Sequence, residues 1–366
     1  MKINQIEPWI DEEERFWLNK VVDSTYVTEG KLTEQFEHTI KEYTNAKYVQ
    51  AYTNGTMALY ALLLAYGIGP GDEVIVPDIT FVATANAVIM AGATPVFCEI
   101  EPDYFCIDPT QISKYINSKT KCIIPVHLYG QSCNMKEIMN IATSHNLLVI
   151  EDAAQGMGVR HNNKHVGTIG HAGILSFYGN KTITCGEGGI ILTENEEIHK
   201  KCYRLKNHGR SVKGVFYHEE IGYNFSFTEM QAAIGLAQLG KLDRIIDKKK
   251  KINNRYISEL QNISQLSFVK IRKESTPVFW FTSILSNKSQ QLRQYLSEND
   301  IGSRLFFYPL HSQPCYNKSN SISTGNYEYS MHIYNKALSL PSSYNMTDEM
   351  QAIVIEKIQE FYDRID

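Results

Sequence analysis

The sequence predicts an α/β protein: a mainly parallel mixed sheet flanked by helices, followed by a smaller α+β domain. Three observations lead there. The chain has 366 residues, room for two domains at about 150 residues each. Across 47–193, short runs rich in Val and Ile alternate with longer helix-like segments, the pattern of βαβ units and parallel strands. At 241–255 the composition shifts to KLDRIIDKKKKINNR, which reads as the exposed basic stretch of a long helix leaving the first domain. The expected division is 1–245 for the large domain and 246–366 for the small one.

The expected strands are 48–52, 73–76, 94–100, 121–124, 147–151, 172–177 and 189–192, each a short apolar run bounded by turn residues. Helices fill most of the gaps. Asp108 followed by Pro109 reads as an N-cap with proline in the first helical position, and Thr228 with Gln231 as a capping box before an apolar helix. Beyond 255 come a strand at 278–285, a helix at 289–298, a polar surface loop at 313–327 and a last amphipathic helix capped by Thr347.

Composition narrows the function. The 36 Lys and Arg nearly balance 40 Asp and Glu, for a formal charge of -4, so neither nucleic acid nor an anionic membrane is an expected partner. Seven cysteines, an odd number without a C-x-x-C pair, argue against a structural zinc site or a secreted disulfide framework and for a reducing cytoplasm. The acidic start MKINQIEPWIDEEERF lacks the apolar core of a signal peptide, and the most apolar stretch, 58–69, is too short to span a bilayer.

Four features sit at predicted strand ends, where open α/β sheets place their ligands. Thr53-Asn54-Gly55-Thr56 precedes a helix expected to start near Met57. Its free amides and the Thr56 hydroxyl suit a phosphate, although such a turn also simply begins a helix. Glu151-Asp152-Ala153-Ala154-Gln155 ends the strand LLVI. A carboxylate there needs a cation or donors, or else caps the next helix. Lys181, in Ser176-Phe177-Tyr178-Gly179-Asn180-Lys181, stands beside a strand end and the glycine-rich 186–189 loop, where the ordinary alternative is a solvated surface lysine. Phe81 opens the helix after VIVP, with core packing as its default role. A phosphate clamp, an Asp, an aromatic face and a Lys are together the parts that hold pyridoxal phosphate as a Schiff base.

In this order the motifs resemble the DegT/DnrJ/EryC1/StrS sugar aminotransferases, a group of fold type I pyridoxal phosphate enzymes. The similarity runs from about Trp9 to Tyr362 through NGTMAL, PDITFVATANAV, VHLYGQ, IEDAAQ, SFYGNKTITCGEGG, GYNFSFTEMQAAIGLAQL and SLPSS. The resemblance implies that Lys181 carries the cofactor and that Asp152 partners the pyridine nitrogen. It places Gln155 and Phe81 near the ring or its phenolic oxygen, and Gly55, Thr56 and Ser176 at the phosphate. Asn224 would join that phosphate from the neighbouring subunit, implying a homodimer with shared active sites.

Within the family, 208–224 is most similar to perosamine-forming members, which implies transfer from L-glutamate to C4 of a nucleotide-linked 4-keto-6-deoxy sugar, GDP-4-keto-6-deoxymannose. Arg304, Tyr308 and His311, in SRLFFYPLH, become candidates for the nucleotide-sugar pocket, with a satisfied hydrogen bond in the small domain as the plain alternative for Arg304 and His311. Ser226 stands where many relatives have Arg, and Leu305 where many have Pro. The first bears on the interface side of the phosphate site, since Ser makes no bidentate ionic contact. Three alternatives stay open: a UDP- or dTDP-linked 4-keto or 3-keto sugar as acceptor, a dehydratase of the same fold, and a regulatory member that binds cofactor without turnover. The dehydratases carry His at the position of Lys181.

Overall fold

The computed structural model describes residues 1–212, 214–316 and 325–364. Nine strands belong to its first part: β1 (Tyr48–Tyr52), β2 (Glu73–Pro77), β3 (Thr94–Cys98), β4 (Thr120–Ile123), β5 (Leu148–Asp152), β6 (Arg160–His161), β7 (Lys164–His165), β8 (Ala172–Ser176) and β9 (Gly189–Thr193). Seven of them form one sheet in the order β1-β9-β8-β5-β4-β2-β3. Strands β3, β2, β4, β5 and β8 run parallel, while β9 is antiparallel to both β8 and β1. The expected mixed, mainly parallel sheet is thus observed, and its strands are buried on both faces, as parallel sheets require.

One face takes Tyr52, Val76, Ile150, Ile174 and Ile191, packed under α3 (Gly55–Ala65), α4 (Ala83–Met90) and α7 (Glu196–Lys206). The other takes Val49, Ala51, Leu175 and Leu192, covered by Phe36 and Ile40 of α2 (Lys31–Thr44) and by Ala232 and Leu242 of α8 (Glu229–Leu260). Helix α1 (Glu12–Ser24) lies on α8, and α6 (Met135–Ser144) places Ile138 against Val149. The helix begun by Asp108 and Pro109 is the four-residue α5 (Pro109–Ile112).

The C-terminal part has its own core. Strands β10 (Ser267–Phe268), β12 (Thr282–Leu285), β13 (Arg304–Leu305) and β14 (Ala337–Leu340) pair in the order β10-β12-β14-β13, all antiparallel. Leu292 and Leu296 of α9 (Ser289–Glu298) and Val354 and Ile358 of α11 (Asp348–Asp363) cover them. Helix α10 (Glu328–Lys336) returns to the first part, where Glu99 accepts from the amides of Tyr329 and Ser330. Strand β11 (Ser275–Thr276) pairs with β6. Helix α8 serves both cores, with Ile245 in the first and Ile252, Tyr256 and Leu260 in the second.

Three expectations need correction. The 241–255 stretch is not uniformly exposed: Lys241 and Lys249 are buried, the first against Asp11 and Glu14 of the N-terminal helix. The strand expected over 278–285 is only Thr282–Leu285, because 278–281 turns toward the large sheet, where Val278 N–H donates to Gly130 O. The loop expected over 313–327 falls partly outside the described residues. Among the described residues, no helix is long and apolar enough to cross a membrane.

Candidate active site

A cavity of about 540 Å3 opens at the carboxyl ends of the parallel strands, with Gly55, Thr56, Phe81, Asp152, Gln155, Ser176, Lys181 and Arg304 on its walls. Eight of the eleven positions singled out in the sequence meet there. Asn224, Tyr308 and His311 lie outside it.

The first wall is the start of α3. Asn54 caps the helix by accepting from Met57 N–H at 2.9 Å, so the helix begins at Gly55, two residues before Met57. The amides of Gly55 and Thr56 have no acceptor within the helix, and the helix dipole adds partial positive charge. Register brings Ser176 beside them, because Gly189 of β9 pairs with Tyr52 on one side and Ser176 on the other. Gly189 must be glycine: a Cβ there would lie 2.4 Å from the carbonyl carbon and oxygen of Asn54. The Ser176 hydroxyl has no hydrogen bond among the described residues.

The second wall is the end of β5. Alternation along a strand sends successive side chains to opposite faces, and here it separates two adjacent carboxylates. Glu151 turns away from the cavity, accepts from His127 Nε2 at 2.8 Å and from the amides of Gly167, Ile169 and Gly170, and is fully buried. Burial alone would raise its pKa, but His127 and the amides outweigh that and hold it below the usual value. Asp152 faces the cavity. Its Oδ2 accepts from Thr84 Oγ1 at 2.7 Å and its Oδ1 from Ala154 N–H at 3.1 Å, and it has no ion-pair partner among the described residues. Gln155 accepts from Tyr129 N–H at 2.6 Å, fixing Tyr129 in a left-handed conformation at φ 53°.

The third wall carries Lys181. Its loop is tight: Lys181 N–H donates to Tyr178 O, and Phe177 O accepts from both Cys185 N–H and Thr184 Oγ1. The Lys181 amine sits 4.4 Å from the ring centre of Trp280. Burial pushes its pKa from 10.5 to about 8, against the pull of Asp152, and Arg304 lowers it further. Near neutral pH about a tenth of this amine is therefore uncharged and nucleophilic, far more than of an ordinary lysine.

Phe81 stands before α4 rather than inside it, 56% exposed at the rim, so core packing is not its role. Arg304 is exposed, and its side chain makes no hydrogen bond or ion pair among the described residues. His311 donates its backbone N–H to Asp78 and holds the same carboxylate through Nδ1 at 2.7 Å, with its ring stacked on Tyr327. Tyr308 packs edge-on against Tyr334. Asn224 is exposed, and among the described residues its side chain accepts only from Ser226 N–H. The sequence reading missed Thr84 and Trp280. Thr84 lay within the quoted PDITFVATANAV, while Trp280 carried no local signal, since only the turn at 278–281 brings it to Lys181.

Residues 8–359 match the DegT/DnrJ/EryC1/StrS aminotransferase family. The chain belongs to that family. Among its relatives, the GDP-perosamine synthase of Escherichia coli O157:H7 is 37% identical over 97% of both chains. The "Pleiotropic regulatory protein" of Geobacillus stearothermophilus is 39% identical over 94% of this chain and 93% of its own. The solved structure of a DegT DnrJ EryC1 StrS aminotransferase from Brucella abortus superposes with a TM-score of 0.90 at 31% identity, covering 96% of this chain and 95% of that one.

The chain is accordingly a sugar aminotransferase, and its cofactor is pyridoxal 5'-phosphate. The cavity fits that group on three counts. Unsatisfied amides at a helix start, beside a free serine hydroxyl, suit a phosphate. A buried carboxylate without an ion-pair partner suits a protonated ring nitrogen. A lysine with a depressed pKa suits attachment to an aldehyde.

Proposed function

We propose that the chain transfers the amino group of L-glutamate to C4 of a nucleotide-linked 4-keto-6-deoxyhexose, GDP-4-keto-6-deoxymannose, giving GDP-perosamine. The observation that carries the reaction is the meeting of Lys181, Asp152 and the α3 N-terminus in one cavity. The acceptor is supported by the relatives, since a second GDP-perosamine synthase, from Vibrio cholerae, is also 37% identical over 98% of this chain.

Pyridoxal phosphate, when bound, supplies an electron sink for the carbon that loses a proton. Asp152 would keep the ring nitrogen protonated, oriented for it by Thr84 and the Ala154 amide. Gly55, Thr56 and Ser176 would hold the phosphate. Lys181 anchors the cofactor and then, as a free amine, removes a proton from the donor's α-carbon. In the second half-reaction, which runs the other way, the same amine would deliver a proton to the sugar's C4, the keto carbon that carries no hydrogen until it gains the amine. Phe81 and Gln155 would flank the ring, and Arg304, whose guanidinium has no hydrogen-bond or ion-pair partner among the described residues, would meet the anionic parts of the substrates.

We further propose a homodimer in which Asn224 completes the phosphate site of the partner. Support comes from its absence from its own cavity and from the exposed apolar side chains of the segment leading to it, with Phe216 and Ile221 both 85% exposed.

The test is a two-step spectrum. Glutamate should bleach the visible band of the loaded protein, and GDP-4-keto-6-deoxymannose should restore it with release of a 4-amino sugar, while Lys181→Ala does neither. Restoration only by a UDP- or dTDP-linked sugar, or an amine at C3, would overturn the acceptor and leave the aminotransferase standing. The regulatory reading is favoured by the name of the Geobacillus relative; no bleaching by any amino acid would establish it instead.

A further inference from the structure

Lys249 is buried on α8 with no carboxylate beside it among the described residues. Its amine donates to two carbonyls from separate segments, Trp280 O at 3.1 Å and Ser342 O at 2.9 Å. Burial lowers its pKa to about 7, yet a neutral amine still has two hydrogens, one for each carbonyl, so the tie holds in either state. Trp280 is 2% exposed. Its indole Nε1 donates to Asn180 O, the residue before Lys181, at 2.6 Å, and its ring lies 4.4 Å from the Lys181 amine. The approach of this segment also requires Gly130, where a Cβ would lie 1.7 Å from Val278 O at a φ of +82°.

We propose that Lys249 and Trp280 are positioning residues for the Lys181 amine. Lys249 pins the backbone of Trp280, and the Trp280 ring, tied to Asn180, covers the amine and holds it against the cavity wall. The charged groups acting on Lys181 are Asp152 from β5 and Arg304 from β13, and Glu187 lines the same cavity. Lys249 is not among them, so its influence passes through Trp280. The inference rests on Lys181 as the reactive amine and is independent of the sugar.

The experiment uses the full-length protein stripped of cofactor. Reductive methylation across a pH series, with peptide mass spectrometry, gives the titration midpoint of Lys181. Trp280→Leu keeps the wall apolar and removes the aromatic face that favours an ammonium, so the midpoint should fall by about half a unit or more. Lys249→Met should move it in the same direction, and the double variant should match Trp280→Leu alone, the signature of residues acting in series. Trp280→Phe, which keeps a ring, should recover part of the shift. An unchanged midpoint in Trp280→Leu, or shifts that add in the double variant, would overturn the proposal. Should Lys249→Met fail to fold, Trp280→Leu and Trp280→Phe decide it, equal midpoints counting against. Because no substrate is present, failure here is separate from failure of the proposed transfer.

Discussion

Asp152 and Glu151 are the same chemistry one residue apart, and the pleat of β5 sends them to different tasks. Glu151 is surrounded by donors and fastens the loop at Gly167 and Gly170, whereas Asp152 keeps capacity for a cationic partner in the cavity. Its aim is set by Thr84, whose hydroxyl fills one of its lone pairs. Thr84→Val keeps the shape of that side chain and removes the donor. A hydrogen bond to a charged group contributes about 1.5–3 kcal/mol, so kcat should drop roughly ten- to a hundredfold; a kcat within about twofold of wild type would show that Asp152 is held without it.

At the scale of elements, the phosphate cradle depends on how closely β9 approaches the turn before α3. Gly189→Ala would drive a methyl into the Asn54 carbonyl. Overpacking of this kind costs about 1–3 kcal/mol. Because the displaced atoms open α3, the loss should appear both as a lower urea midpoint and as a weaker dissociation constant for pyridoxal phosphate; unaltered cofactor affinity would separate the turn from the phosphate site. These elements were also the most legible in the sequence. The seven main-sheet strands were readable because strands buried on both faces appear as short Val/Ile runs, and the α8 start because Thr228 and Gln231 form the expected capping box. The burial of Lys241 and Lys249 was hidden, since a buried lysine and a solvated one look alike until the groups that face them are known. Trp280 was hidden for the same reason: its contact with Lys181 spans about a hundred residues and leaves no periodicity.

For the whole molecule, the proposed shared site makes a strong statement about mixtures. Lys181→Ala and an Asn224→Ala variant should each be inactive in turnover. Co-expressed, they should recover roughly a quarter of wild-type activity, because half of the dimers are mixed and each mixed dimer has one intact site; no recovery would place Asn224 in its own subunit's chemistry or none. Stability should also carry the mark of Lys249. Its pKa is lowered on folding from 10.5 to about 7, so between those values the unfolded chain holds a proton that the folded chain does not. Stability must then rise with pH across that window, by up to ~1.4 kcal/mol per unit. Urea midpoints at two pH values inside it should show a steeper rise for wild type than for Lys249→Met, and parallel slopes would mean that the buried amine stays charged.

The order of strands has a consequence for how the enzyme is made. The cavity wall begins at Asn54 and is finished by Phe307, and the strand that brings the Asn54 turn beside Ser176, β9, is also the one that reverses direction. A ribosome that has released β1 and α3 has therefore exposed half a phosphate cradle with nothing to close it, and the lysine, the tryptophan and the arginine arrive only in that order, the last after more than three quarters of the chain. A complete cavity therefore exists only once the chain has been made through Phe307, and until then its parts stand on separate, unclosed segments.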